Sequence, residues 1–149
     1  MKQLIRHYRD SDWLAVSQIH DLARPIELEG SCDSRAFVPL AEDQADLLQF
    51  RQCRKLVACF DDRVVGFIGT SDNEIGWLYV DPAETGQGTG RLLLRAAVAS
   101  IKGPASVHVL DGNSRALNLY QSEGFVIVNS FRSRNNGYPC TVLELSLAR

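Results

Sequence analysis

The sequence is 149 residues long, with 45% hydrophobic residues, 23% charged residues and a formal net charge of −2. This composition is typical of a globular chain, and the length predicts one domain spanning residues 1–149 with a genuine apolar core. A pI of about 5.9 argues against nucleic acid or an anionic membrane as partner, and the lack of a long apolar run predicts a cytoplasmic protein.

Hydrophobic periodicity predicts strands and helices in the N-terminal half. A strand is predicted at residues 4–8, followed by a helix that Asp10 or Ser11 caps and that ends near residue 23. Residues 24–40 are predicted to be irregular because prolines and a glycine interrupt them. The next elements are one helix and three strands, at residues 41–53, 55–60, 64–70 and 74–80.

A glycine-rich turn follows the fourth strand and leads into a helix predicted at residues 90–101. Glycines can adopt positive φ and let a ligand approach the backbone, and the first amides of a helix have no partner within it. The turn therefore indicates an anion site suited to a phosphate or pyrophosphate, although a tight turn with a flexible helix start gives the same pattern. The spacing before Arg91 matches neither the dinucleotide fingerprint nor the P-loop.

A second informative segment follows a short apolar strand at residues 107–110. Asn113 or Ser114 can cap a helix, and Gly124 stands where a glycine commonly ends one. Two closing strands are predicted at about residues 125–133 and 140–147.

Together these segments resemble the GNAT superfamily of acyl-CoA-dependent N-acyltransferases. Its motif [Q/R]-x-x-G-x-[G/A] falls on residues 85–90, with Thr85 in place of Gln or Arg. Its second motif, N-x-x-A-x-x-[LF]-Y-x-x-x-G-F, falls on Asn113, Ala116, Tyr120, Gly124 and Phe125. The resemblance covers nearly the whole chain. It implies an α/β (α+β) fold with a mixed sheet of about seven strands and about four helices, in which the fourth and fifth strands splay into an acyl-CoA cleft.

The resemblance also implies how acetyl-CoA binds. The pantetheine arm is expected beside the backbone of the fourth strand, the pyrophosphate on the amides of residues 87–91, and Asn113 on the far side of the cleft. Read alone, Asn113 would equally be a simple helix cap. The implied cofactor-binding residues are Leu78, Tyr79, Val80, Thr85, Gly86, Gln87, Gly88, Thr89, Gly90, Arg91, Asn113, Ala116 and Tyr120.

The implied reaction is direct attack of an amine on the acetyl-CoA thioester in a ternary complex, without a metal. Tyr120 is the predicted acid, because a phenol with a pKa near 10 stays protonated and can donate to the thiolate. Glu74 is the predicted base, with a solvated turn residue or a water chain as the alternative. An amide near residues 78–80 is expected to stabilise the oxyanion. His108 lies in an apolar strand, which favours a buried core histidine.

The acceptor is expected beside residues 24–40, where Glu27, Glu29 and Asp33 would suit a cationic amine or simply form a solvated acidic loop. Residues 132–138 are expected to form the other wall. The leading hypothesis is an N-acetyltransferase acting on a small-molecule primary amine. The alternatives are a protein or peptide N-acetyltransferase and a non-catalytic acyl-CoA-binding sensor. The oligomeric state stays open, with a homodimer through the closing strands as one expectation.

Overall fold

The computed structural model describes residues 2–148, which form seven strands and four α-helices. In chain order these are β1 (Gln3–His7), α1 (Trp13–Leu28), α2 (Gln44–Gln52), β2 (Arg54–Phe60), β3 (Arg63–Ser71), β4 (Glu74–Val80), α3 (Thr89–Ser100), β5 (Ala105–Leu110), α4 (Ser114–Ser122), β6 (Val126–Asn135) and β7 (Tyr138–Leu147).

All seven strands belong to one sheet with the order β1-β2-β3-β4-β5-β7-β6. Neighbouring strands are antiparallel except for β4 and β5, which run parallel. The predicted mixed sheet with four helices and a parallel fourth and fifth strand is therefore confirmed.

Helices cover both faces of the sheet. On one face Leu93 and Leu94 of α3 and Tyr120 of α4 pack into the larger core cluster. On the other face Val16 of α1 and Phe50 of α2 pack in a cluster rich in aromatic side chains, which includes Trp77 and, at its border, Tyr79 of β4. The side chains of Trp77 and Tyr79 therefore point towards α1 and α2.

The parallel strands β4 and β5 separate after two residue pairs. β4 and β5 are paired only at Glu74 with Ser106 and at Ile75 with Val107. On the other edge of β4, the pairing with β3 skips Gly76, so that Gly76 is a bulge residue. A bulge adds one residue to the strand, so the alternation of side chains is reversed beyond it. A bulge also increases the local twist. The splay between β4 and β5 begins at this bulge.

Helix α1 is longer than its sequence predicts. It continues to Leu28 although Pro25 lies inside it, so the prediction that residues 24–28 are irregular is wrong. Proline removes a helical hydrogen bond, but here tertiary packing outweighs the loss: Leu28 is fully buried in a third cluster with Leu110 and Val142. None of the helices within residues 2–148 combines the length and apolar character needed to cross a membrane.

Candidate active site

A cleft of about 840 Å³ opens where β4 and β5 separate. Its walls come from α1, β4, the glycine-rich turn, β5 and α4. Of the predicted site residues, those that line it are Leu78, Tyr79, Val80, Thr85, Gly86, Gly88, Thr89, Gly90, Arg91, Asn113, Ala116 and Tyr120. Gln87 and Glu74 are not among the lining residues. The structure thus brings two segments distant in sequence together around one cavity.

The glycine-rich turn forms one end of the cleft. Gly86 and Gly88 have φ angles of +84° and +76°, and a Cβ added at either would meet no atom within 4 Å. Helix α3 then begins at Thr89, and its first backbone bond joins the Leu92 amide to the Gly88 carbonyl. The preceding amides therefore have no helical acceptor. Open space, free amides and a helix N-terminus together fit an anionic diphosphate.

Side chains from elsewhere hold this turn in place. The Gln3 amide group donates to the Gln87 carbonyl at 2.9 Å, and its carbonyl oxygen accepts from the Thr89 hydroxyl at 2.7 Å. The Arg91 guanidinium is bonded to Glu123, so Arg91 offers the turn chiefly its backbone amide. Gln3 lies 84 residues from Gln87, and no motif in the sequence pointed to it.

The exposed edge of β4 supplies free backbone groups. The Asp81 amide donates to the Val65 carbonyl of β3 at 2.8 Å. Since backbone groups alternate between the two edges of a strand, Leu78 and Val80 direct theirs towards β5. Because β5 pairs with β4 only at Glu74 and Ile75, it does not reach them. The cleft is therefore lined by donors and acceptors at the positions predicted for a pantetheine arm and an oxyanion.

Helix α4 contributes Asn113 and Tyr120 from the opposite side. The Asn113 carboxamide oxygen accepts from the Ala116 amide at 3.3 Å, which confirms the predicted helix cap. Tyr120 is 4% exposed. Its hydroxyl donates to no residue in 2–148, and within that range the one fully buried side-chain polar atom without a partner is Trp77 Nε1. The Tyr120 hydroxyl therefore opens on the cleft.

Burial and one nearby charge determine the chemistry of the Tyr120 hydroxyl. Burial raises the pKa of the Tyr120 phenol above its ordinary value, and the nearby Glu27 carboxylate raises it further. The hydroxyl consequently keeps its proton throughout the neutral range, where it can donate a hydrogen bond or a proton and is not a phenolate base. This behaviour agrees with the predicted role of a hydrogen-bond donor to a leaving thiolate.

The acceptor wall of the cleft is built around Glu27 on α1. Its Oε1 atom accepts from the Tyr79 hydroxyl at 2.8 Å and from Arg24 at 2.6 Å. Arg24 also donates to the Asn135 side chain at 3.1 Å, which ties α1 to the β6–β7 hairpin. These partners lie 52 and 111 residues apart in sequence, so nothing local in the chain indicated the arrangement.

Backbone contacts close the same wall. A Cβ added at Gly112 would lie 2.3 Å from the carbonyl oxygen of Gly30, so the turns after β5 and α1 touch. The Asn136 amide group donates to the Ala36 carbonyl at 2.6 Å. The predicted second wall at residues 132–138 therefore does contact the region of residues 24–40.

Three residues do not lie where the sequence predicted them. Glu74 is exposed at the paired end of β4, and the bulge at Gly76 reverses the alternation that was expected to place it on the same face as Leu78. His108 is exposed and lines the cleft, so its prediction as a core histidine is wrong. Asp33 pairs with Arg35 outside the cleft, and this hydrogen bonding lowers the pKa of its carboxyl to about 2.

Comparison with known proteins agrees with this geometry. The splayed sheet above a glycine-rich turn is the architecture of an acyltransferase domain. The family model of the acetyltransferase (GNAT) domain matches residues 51–127, just over half of the sequence. The chain therefore belongs to the GNAT acetyltransferase family, as the two motifs indicated.

Individual relatives differ in how much of the chain they match. The peptidyl-lysine N-acetyltransferase YjaB of Salmonella typhimurium is 29% identical over 84 residues, which cover 56% of this chain and 57% of that protein. A GCN5-related N-acetyltransferase from Rhodopseudomonas palustris has a TM-score of 0.87 at 18% identity, covering 100% of this chain and 97% of that one. PaiA N-acetyltransferase from Thermoplasma acidophilum, solved with coenzyme A, has a TM-score of 0.80 at 18% identity with full coverage of both chains.

Within residues 2–148, no group of three or more His, Cys, Asp or Glu side chains is arranged to hold a metal ion.

Proposed function

We propose that this chain transfers an acetyl group from acetyl-CoA to a primary amine by direct attack in a ternary complex. The observation that carries the proposal is the Tyr120 hydroxyl, which opens on the cleft without a partner among residues 2–148. Across the cleft from α4 lie the free backbone groups of Leu78 and Val80, and the glycine-rich turn closes the end.

The residues of the cleft fit acetyl-CoA. The amides from Gln87 to Arg91 would hold the diphosphate, with Gly86 and Gly88 leaving room for it. Leu78 and Val80 would hydrogen-bond the pantetheine arm, beside Asn113 and Ala116 of α4. Acetyl-CoA supplies an activated acyl group as a thioester, whose carbonyl carbon accepts the amine.

The chain then has two tasks during transfer. As the new C–N bond forms, negative charge develops on the carbonyl oxygen, and a backbone amide of Leu78 or Val80 would stabilise it. As the C–S bond breaks, Tyr120 donates its proton towards the sulfur and recovers one from the amine nitrogen through water. Because Glu74 lies outside the lining residues, we assign the removal of the ammonium proton to water in the cleft instead.

Two acceptor classes follow from different observations. The contacts of Gly112 with Gly30 and of Arg24 with Asn135 close the acceptor wall, which favours a small-molecule primary amine. The description of the Salmonella relative as a peptidyl-lysine N-acetyltransferase favours a lysine side chain as the second candidate. Both acceptors present a primary amine on an alkyl chain.

Calorimetric titration of acetyl-CoA, dephospho-CoA and free pantetheine tests the binding half of the proposal. We expect acetyl-CoA to bind in the micromolar range and pantetheine to bind far more weakly, because the glycine-rich turn contacts only the diphosphate. Dephospho-CoA keeps the diphosphate and should bind nearly as well as acetyl-CoA. Equal affinity for pantetheine would contradict the assignment of the turn.

A Tyr120→Phe variant tests the catalytic half. We expect kcat for acetylation of a primary amine to fall about 100-fold, the usual scale of acid–base assistance, with the Kd of acetyl-CoA changed less than about twofold. Tyr8→Phe removes a hydroxyl outside the cleft lining and serves as the matched control. Unchanged turnover would show that Tyr120 is not the acid. Tight acetyl-CoA binding without transfer to any amine would indicate the sensor alternative.

A further inference from the structure

Glu27 stands out among the acidic residues of the acceptor wall because one of its oxygens is held and the other is free. Oε1 accepts two hydrogen bonds, from the Tyr79 hydroxyl and from Arg24. No residue within 2–148 donates to Oε2, and the Glu27 side chain is 24% exposed. A carboxylate fixed in this way presents Oε2 to the cleft at little further cost in side-chain entropy.

Both groups that donate hydrogen bonds to Glu27 Oε1 continue to do so at neutral pH. Although Tyr79 as a whole is only half-buried, desolvation of its hydroxyl raises its pKa well above the ordinary value, and the Glu27 carboxylate raises it further. The phenol therefore stays protonated at neutral pH. Arg24 is half-buried between α1 and the β6–β7 hairpin, where the Asn135 side chain accepts a hydrogen bond from its second amino group.

The surroundings of Oε2 combine negative charge with apolar surface. Glu29 lines the cleft as Glu27 does, and of these two carboxylates only Glu27 is paired with the Arg24 guanidinium. Ala23, one turn before Glu27 on α1, and Ile26, directly before Glu27 in the chain, also line the cleft. A carboxylate oxygen next to apolar side chains matches an ammonium group carried on an alkyl chain.

This position also faces the reaction centre. Glu27 bonds Tyr79 of β4, whose neighbours Leu78 and Val80 carry the free backbone groups of the cleft. The Glu27 charge acts as well on the Tyr120 hydroxyl, which lies on α4 across the splay. Glu27 therefore bonds β4 directly and acts on the proposed acid through its charge.

We propose that Glu27 is the specificity-determining residue of the acceptor site and that its Oε2 atom binds the ammonium group of an unbranched alkylamine. The inference rests on the proposed acetyltransferase function and narrows its acceptor. The shared chemistry is an alkylammonium, which a free diamine or a lysine side chain supplies; Oε2 binds the acceptor in this form, and its reacting nitrogen attacks the thioester after losing a proton to water in the cleft. Arylamines, which are neutral at pH 7, gain nothing from Oε2.

Kinetics with a set of acceptors test this role. The set contains 1,5-diaminopentane, a lysine peptide with a blocked N-terminus, and an arylamine, each assayed by release of the CoA thiol. In Glu27→Gln we expect KM for the preferred alkylamine to rise about 10- to 100-fold, since a charge-assisted bond is lost, while KM for the arylamine and the Kd of acetyl-CoA stay unchanged. Glu29→Gln removes a charge from the same wall and should raise KM less than about threefold. Comparing the diamine with the peptide identifies which source the site prefers.

A binding measurement separates this inference from the proposed function. The diamine, the peptide and the arylamine are titrated by NMR into the CoA-bound protein and into CoA-bound Glu27→Gln, so that no turnover is required. Alkylamine binding that weakens at least tenfold in the variant supports the role of Glu27 even if no acetyl transfer occurs. Equal binding by both proteins, no binding by either, or an equal loss for the arylamine would overturn it.

Discussion

The two sides of the cleft are built in different ways. The proposed cofactor side consists of one continuous turn, residues 85–91, which offers backbone amides and open glycines. The acceptor side consists of side chains from α1, β4 and the β6–β7 hairpin, joined through Glu27, Tyr79, Arg24 and Asn135. Backbone supplies one site, and tertiary contacts supply the other.

This difference explains which substitutions each side of the cleft can tolerate. A backbone site depends on φ angles and free space, so most side chains around it can change without altering the ligand it accepts. A site made of interlocked side chains changes its charge and shape with each substitution. We therefore expect the cofactor to be fixed by the fold and the acceptor by a few residues of the α1 wall.

Gly112→Ala should have the largest effect on stability, because it disrupts the backbone contact that joins the acceptor walls. The new Cβ would lie 2.3 Å from the Gly30 carbonyl oxygen, and the φ angle of +105° is itself unfavourable for alanine. Two backbones would have to separate, so we expect a loss of about 2–4 kcal/mol in the free energy of unfolding, measured by urea denaturation. The acceptor KM should rise as well.

Gly103→Ala is the matched control for this substitution. Gly103 has a φ of +84°, and its nearest neighbour would be the Asn73 side chain at 3.7 Å, an ordinary contact. The Gly103→Ala variant should therefore lose only about 1 kcal/mol in the free energy of unfolding, because alanine disfavours the positive φ. If both variants unfold at the same urea concentration, the contact between Gly112 and Gly30 contributes nothing to stability.

The same distinction governs how much the sequence could predict. The order of the elements, the bounds of β4, the Asn113 cap and the glycine-rich turn follow from local patterns, and the structure has each of them. Periodicity, turn residues and caps act over a few residues, which is why a single sequence reveals them.

The failures share a tertiary cause. Pro25 predicts a helix end, but the burial of Leu28 carries α1 past it. Strict alternation places Glu74 on the face of Leu78, but the bulge at Gly76 reverses it. His108 has apolar neighbours in sequence, yet it is exposed because Val107 and Val109 face the larger core cluster and His108 faces the other side of the sheet, beside Phe131. No local pattern encodes these contacts.

Gly86→Ala should have an intermediate effect, confined to the cofactor side. The substitution strains a φ of +84° and adds a methyl group where Gly86 leaves open space beside the free amides. We expect acetyl-CoA affinity to fall about 10- to 100-fold by calorimetry, since the turn must shift to relieve the strain. The acceptor contacts of Glu27 should be unaffected.

Gly137→Ala provides the comparison. Its φ of +87° and its lack of any neighbour within 4 Å match Gly86, but it lies in the β6–β7 hairpin outside the cleft lining. The two variants should therefore unfold alike and differ only in cofactor affinity. A similar loss of affinity in Gly137→Ala would mean that the glycine-rich turn has no special part in binding.

The smallest effect distinguishes two tyrosines, Tyr79 on the acceptor side and Tyr120 on the cofactor side. At pH 7, Tyr79→Phe should destabilise the protein by about 1 kcal/mol because a hydrogen bond to Glu27 is lost. Tyr120→Phe should be close to neutral, since its hydroxyl has no partner within residues 2–148. Urea denaturation of both variants measures the difference, and equal destabilisation would contradict it.

At high pH the two tyrosines should behave alike. Burial raises both pKa values in the folded state, whereas an unfolded chain titrates tyrosine near 10. Above about pH 10 the unfolded state binds fewer protons, so stability falls as pH rises, by at most about 1.4 kcal/mol per pH unit for each tyrosine. Each phenylalanine variant should flatten this slope between pH 9 and 11, and an unchanged slope in either would show that its hydroxyl titrates freely. Tyr79 and Tyr120 thus both have a pKa raised by desolvation, and of the two only Tyr79 donates a hydrogen bond to Glu27.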